Sequence, residues 1–218
     1  MPVSAWAAAF AHRFAPSTPL PGRKNNMSEV KNILLVGVGG QGTILAAKLL
    51  TMGLMQAGYD VKMSEIHGMS QRGGSVSSQV RYGDHVLSPV IEIGGADILV
   101  SFEKMEALRW LEYLKIGGRV IVNDAQILPT SVLMGTTNYP EGILEELAAH
   151  ADTVVFDAVH EAAKLGNERV MNVLLLGTTV KTMGLGSIDW EKVIRETVNP
   201  EFVDINLRAF ARGIKLAE

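Results

Sequence analysis

Residues 32–58 read NILLVGVGGQGTILAAKLLTMGLMQAG, and the order of chemistries in this stretch sets the fold class. Asn32 to Val36 is a short apolar run ending at glycine, the pattern of a strand buried on both faces of a parallel sheet. Gly37-Val38-Gly39-Gly40-Gln41-Gly42 then matches G-x-G-x-x-G. From Thr43 to Ala57, apolar Ile44, Leu45, Leu49, Leu50 and Leu54 recur at helical spacing with few charges, so this helix is expected to be covered on most sides. Gly58 suits its C-terminal end. A strand, a glycine turn and a helix in that order make a Rossmann-like start.

The glycine string has two physical uses. Glycines permit a tight turn and close backbone approach, and a helix start presents unbonded N–H groups where a phosphate or carboxylate can sit. A dinucleotide site also wants an acidic residue about 20 positions on, to hold a ribose. Glu65, near the end of an expected second strand at Tyr59 to Ile66, lies 23 residues after Gly42. That spacing leaves open a stand-alone NAD(P)-binding oxidoreductase, beside the plainer reading of a packing turn that holds no ligand.

Past the second strand the alternation breaks. His67 to Ser75 reads HGMSQRGGS, a glycine- and serine-rich loop. Ser75 to Tyr82 alternates as a strand with one wetter face, Gly83-Asp84 reads as a turn, and His85 to Ile91 is expected to return antiparallel. Alternation then resumes with a strand at Ala96 to Phe102. An amphipathic helix follows at Glu103 to Lys115, stopped by Gly117-Gly118. Arg119 to Val122 and Thr153 to Phe156 read as strands around a helix at Glu141 to Ala149. Val170 to Leu185 is apolar on nearly all sides, so it is either central or at a subunit contact. Asp189 caps a helix to about Thr197, and Asn199-Pro200-Glu201 opens the last one. The expected architecture is α/β: three layers around a mostly parallel sheet, with an inserted hairpin.

Composition removes several functions. A chain of 218 residues with 47% hydrophobic residues can bury a core without staples. It has no cysteine, which excludes disulfides, thiolate zinc sites, cysteine nucleophiles and conventional iron–sulfur ligation by this chain. The net charge of −3 does not suit a nucleic-acid binder. No apolar run reaches the roughly 18 residues of a membrane span, and a cytoplasmic location is expected. Residues 1–27 contain no Asp or Glu and four of the eight prolines. They read as an N-terminal extension, disordered or loosely helical, with Met27-Ser28-Glu29 as a natural beginning and a transit peptide as the alternative. Residues 28–218 form the one domain.

Arg72-Gly73-Gly74 adds a second glycine loop. An arginine on flexible backbone can clamp an anion, reach a carboxylate on another subunit, or make a surface salt bridge. Both loops are expected at the carboxyl edge of the sheet, where α/β ligands and partners dock. The Arg72 loop would fill the space an adenosine needs beside the second strand.

At these residues the sequence resembles the gamma subunits and domains of the 2-oxoacid:ferredoxin oxidoreductases. VGVGGQGTILAAKLL, SEIHGMSQRGGSVSSQVRYG, SPVIE at Ser88 to Glu92, FEKMEALRWLEYLKIGG and GNERVMNVLLLG resemble the indolepyruvate branch, its beta subunits. Gamma subunits for pyruvate or 2-oxoglutarate tend to carry Tyr-Gly before RGG, where this chain has His67-Gly68-Met69-Ser70-Gln71. The likeness runs from about Lys31 to Leu216.

The resemblance implies one subunit of a complex that oxidatively decarboxylates arylpyruvates, passing the acyl group to coenzyme A and electrons to ferredoxin. It implies that thiamine diphosphate, magnesium and iron–sulfur clusters belong to a large alpha subunit, and that this chain binds none of them alone. It is expected to be inactive by itself. Candidate ligand or interface residues are Gly37, Gly39, Gly40, Gln41, Gly42, His67, Gln71, Arg72, Gly73 and Gly74; no metal ligands and no catalytic residue are assigned. The sequence agrees with that division: the only Gly-Asp pair, Gly83-Asp84, is followed by His85, and Asn25-Asn26 precedes it, so no magnesium-diphosphate motif is present. His12, His85, His150 and His160 lack metal-ligand spacing, and no G-x-S-x-G elbow accompanies Ser64, Ser70 or Ser75. Asn123-Asp124 and Asp157 end strands at the presumed ligand edge, where capping a loop is their commoner use.

Overall fold

A computed structural model of the chain describes residues 29–67 and 73–217. The extension at 1–27 and the site candidates Gln71 and Arg72 lie outside these residues. Six strands, β1 (Lys31–Val38), β2 (Asp60–His67), β3 (Ser75–Gly83), β4 (Ala96–Ser101), β5 (Leu114–Asn123) and β6 (Asp152–Phe156), form one sheet in the order β2-β3-β1-β4-β5-β6. β1, β4, β5 and β6 run parallel, while β3 is antiparallel to both its neighbours. Eight helices join them among the described residues: α1 (Thr43–Gln56), α2 (Lys104–Trp110), α3 (Thr130–Leu133), α4 (Ile143–His150), α5 (Ala158–Lys164), α6 (Met171–Thr182), α7 (Trp190–Thr197) and α8 (Val203–Leu216).

Alternation along each strand divides the core between two faces. Ile33 and Leu35 of β1, with Ile98 and Val100 of β4, pack under α1, α5, α6, α7 and α8. Leu34, Val36 and Leu99 point the other way, against α2 and α4. The three-layer, mostly parallel α/β expectation holds.

The hairpin exists, but with different arms. Only seven residues separate β2 from β3, too few for the crossover of a dozen or more that a parallel neighbour needs, so β2 folds back on β3. β3 then takes the place beside β1 that the second strand holds in a Rossmann half. The expected strand at His85 to Ile91 is irregular chain. Pro89 withholds a ladder donor there. Side chains satisfy this backbone instead: Gln79 Oε1 accepts from Ile91 N–H at 2.6 Å, Asp60 Oδ2 accepts from Val86 N–H at 2.8 Å, and Arg81 donates to the Ser88 and Val90 carbonyls at 2.9 Å.

The helix expected to reach Lys115 stops at Trp110, and Gly117-Gly118 lies inside β5 rather than ending a helix. Buried Leu111 and Leu114 draw the chain into the sheet early, with a register shift opposite Ala96–Ile98. α3 and α5 were not expected. Val170 to Leu185 proves central: nearly all of α6 is buried, and it crosses α8 where Gly177 faces Gly213.

At the periphery Glu161 of α5 accepts from Lys164 and, across to α8, from Arg212, both at 2.7 Å. The bond to Lys164 first, then that to Arg212, holds its carboxyl below the ordinary 4.5. A depressed carboxylate stabilises the fold above its unfolded value and loses that contribution as pH falls through the folded value. Glu161→Gln is therefore expected to lower the melting midpoint at pH 7 and to match the parent well below pH 4.5. Thermal melts across pH check this; an equal deficit at acid pH counts against the ion pairs.

Candidate functional site

The two glycine loops meet as expected, at the carboxyl end of β1. Gly39 N–H donates to the Gly74 carbonyl at 2.8 Å, and Gly73 N–H donates to the Gly39 carbonyl at 3.4 Å. They continue the ladder that pairs Val38 with Ser75. His67 ends β2, its backbone paired with Val76.

This edge also holds the crevice where open α/β sheets usually bind ligands. β1 and β4 are neighbours, but α1 leaves β1 onto one face and α2 leaves β4 onto the other, so their carboxyl ends part. Gln41 fills the parting. Its Oε1 accepts from Val38 N–H at 2.7 Å and its Nε2 donates to the Phe102 carbonyl at 2.8 Å. Gly37 makes room: a Cβ there would lie 2.8 Å from Gln41 Oε1 and 2.9 Å from Phe102 Cβ. Gly42 enters α1 at φ 82°, where a side chain is disfavoured, and a Cβ would meet Asn172 Nδ2 at 2.5 Å.

That geometry counts against a dinucleotide. The Gly39 N–H is already bonded, the crevice is occupied by a side chain of the same loop, and Glu65 lies on β2, in register with Ser78 of β3. With β3 between β2 and β1, the carboxylate sits two strand spacings, roughly 10 Å, from the strand it would have to serve.

Behind the crevice runs a buried polar network. The Phe102 carbonyl also accepts from Asn123 Nδ2 at 3.0 Å, and Asn123 Oδ1 accepts from Ala158 N–H at 2.8 Å, opening α5. Asn123 and Asp157 both act as caps, Asp157 accepting from His160 N–H. Glu103 is fully buried. It caps α2 by accepting from Glu106 N–H at 3.0 Å and takes Ile127 N–H at 3.2 Å and the Tyr139 hydroxyl at 2.5 Å. Burial first, then this bond to Glu103, raises the Tyr139 phenol well above its ordinary range, so it stays a donor. Glu106, 2% exposed, accepts from Ser75 Oγ at the foot of the second glycine loop and from Arg109 at 3.1 Å, while Trp110 donates to Ser75 at 3.4 Å.

Glu103, Glu106, Ser75, Tyr139 and Asn172 were not among the expected site residues. The partners that bring them together lie far away in sequence, and the local signal was two glutamates at the start of a helix. The chain has no cysteine, and among the described residues no three His, Asp or Glu side chains gather as a metal site. Nor, among these residues, is any helix long and apolar enough to cross a membrane.

The pyruvate ferredoxin/flavodoxin oxidoreductase family matches residues 32–216. The indolepyruvate oxidoreductase subunit IorB of Pyrococcus horikoshii is 43% identical over 195 residues, covering 86% of this chain and 96% of that protein. Its namesake in Thermococcus kodakarensis is 42% identical over 195 residues, with the same coverage. Among solved structures, the keto/oxoacid ferredoxin oxidoreductase gamma subunit of Geobacter sulfurreducens superposes with a TM-score of 0.64 at 26% identity, covering 86% of this chain and 98% of that one.

Proposed function

The chain belongs to the pyruvate ferredoxin/flavodoxin oxidoreductase family, and from that premise we propose that it is the small subunit of an indolepyruvate:ferredoxin oxidoreductase. The complex takes an arylpyruvate and coenzyme A to an arylacetyl-CoA and carbon dioxide and reduces ferredoxin. The close likeness over almost the full length of relatives named for indolepyruvate carries this reading over one in which the substrate is pyruvate or 2-oxoglutarate.

Thiamine diphosphate supplies carbanion stabilisation in such a reaction and iron–sulfur clusters an electron path; we assign both, with magnesium, to a large alpha subunit. This chain contributes shape. Gln41 closes the crevice, and the Gly39–Gly74 pairing with Glu106 and Ser75 makes the edge around it a preformed surface rather than an open slot. We assign that edge, with His67, Gln71 and Arg72, to the large subunit or to the coenzyme A approach. A cytoplasmic location belongs to the same proposal.

The test is co-expression with a candidate large subunit. The two are expected to co-elute, and kcat/KM for indolepyruvate should exceed that for pyruvate and 2-oxoglutarate. Preference for either aliphatic acid contradicts the substrate assignment. Arg72→Ala should weaken assembly or turnover at an unchanged melting midpoint; full turnover removes Arg72 from the site.

A further inference from the structure

Beside the glycine turn, where the starts of α6 and α8 meet the end of α7, lies a cleft of about 440 Å³, within the size range of small-molecule sites. Val170, Val198 and Phe202 give it apolar walls, and Phe202 keeps 44% of its surface exposed. Asn172 and Asn206 also line it, each only 5% exposed. Asn172 explains itself: it accepts from Val173 N–H and donates to the Gly42 carbonyl. Asn206 does not. Its Nδ2 donates to the Phe202 carbonyl at 2.8 Å, while its Oδ1 takes no hydrogen bond from any described residue. That oxygen reaches solvent at the cleft, where a bound molecule can donate to it.

Arg169 completes the lining. The other described arginines donate to a carboxylate, an amide or a carbonyl: Arg81, Arg109, Arg119, Arg195, Arg208 and Arg212. The Arg169 guanidinium alone among them has no such partner. A free guanidinium beside an apolar wall suits a carboxylate attached to a ring.

We propose that this cleft binds an aromatic carboxylic acid, with the ring on Val170, Val198 and Phe202, the carboxylate on Arg169, and a ring N–H or O–H on Asn206 Oδ1. The inference deepens the arylpyruvate reading and rests on it for the choice of molecules. It names a class of substrate or product that this chain holds itself, outside the edge assigned to the partner.

Isothermal titration of the full chain with indole-3-acetate and with 4-hydroxyphenylpyruvate tests it. Both should bind saturably at one site. Indole, which lacks the carboxylate, and pyruvate, which lacks the ring, should each bind at least about tenfold more weakly, a gap worth one decade in Kd. N-methylation of indole-3-acetate should weaken binding, and excess inorganic phosphate should not displace it. Arg169 is exposed and its guanidinium has no partner among the described residues, so Arg169→Ala should keep the fold and lose about tenfold in affinity; Phe202→Ala should also bind more weakly. Absence of saturable binding, indifference to both variants, or displacement by phosphate overturns the proposal. Binding is read on this chain and turnover on the complex, so failure of this site and failure of the arylpyruvate assignment give different results.

Discussion

Gly213→Ala is expected to cost about 3 kcal/mol or more, the upper end for overpacking, because nothing around this position can give way. A Cβ on Gly213 would lie 1.9 Å from the Leu174 carbonyl oxygen and 3.1 Å from the Thr178 nitrogen; on the opposite helix, one on Gly177 would lie 2.3 Å from the Phe210 carbonyl oxygen. These are backbone atoms of α6 and α8, so relief requires the helices to separate. Separation would also break the bond by which Thr178 Oγ1 donates to the Gly213 carbonyl at 2.9 Å. It would open the cluster containing Leu174, Ala209 and Phe210. At this chain length the expected fall in melting midpoint is roughly 6–12 °C. Gly186→Ala is the control, since no atom lies within 4 Å of its Cβ position. Circular dichroism melts distinguish them; equal midpoints would show that the helices are not in backbone contact.

Gln41→Ala is the second large effect. The substitution leaves Val38 N–H, in a nearly buried strand end, without its acceptor and removes one of two donors to the Phe102 carbonyl. An orphaned donor of this kind costs about 1–3 kcal/mol, to which the void between β1 and β4 adds. Gln41→Glu keeps an acceptor for Val38 but turns an oxygen toward the Phe102 carbonyl, so it is expected to recover only part of the loss. Urea unfolding ranks the three proteins, and turnover of the complex should fall in the same order as the edge loses its shape. A Gln41→Ala protein as stable as its parent would mean that the side chain does not bridge the strands.

Much of this was legible where one local pattern decides. The apolar run, glycine turn and helix from Asn32 to Ala57 appear almost as expected, and Asp189 and Asn199 cap where their spacing places them. The order of strands was not legible in the same way. Ser75 to Tyr82 reads as a strand by its alternation, but its neighbour depends on the short link from β2 and on a ladder with β1 that only the folded chain shows. Gly117-Gly118 resembled a helix stop because the burial of Leu111 and Leu114, which ends α2 early, has no local signature. Gln41 was a candidate for its place in a glycine loop, yet its role as a plug depends on Phe102, 61 residues away. Glu103 and Glu106 look like ordinary acids of a helix start. Their burial follows from Ser75, Ile127 and Tyr139 converging from three separate segments.

The central claim is that this chain completes an enzyme whose redox groups are carried by another subunit. The direct measurement is indolepyruvate- and coenzyme A-dependent reduction of ferredoxin by this chain, by the large subunit, and by the two together. Reduction only in the combined sample, with none from this chain, is the predicted result. Full turnover by the large subunit unaided, or reduction by this chain on its own, would contradict the account.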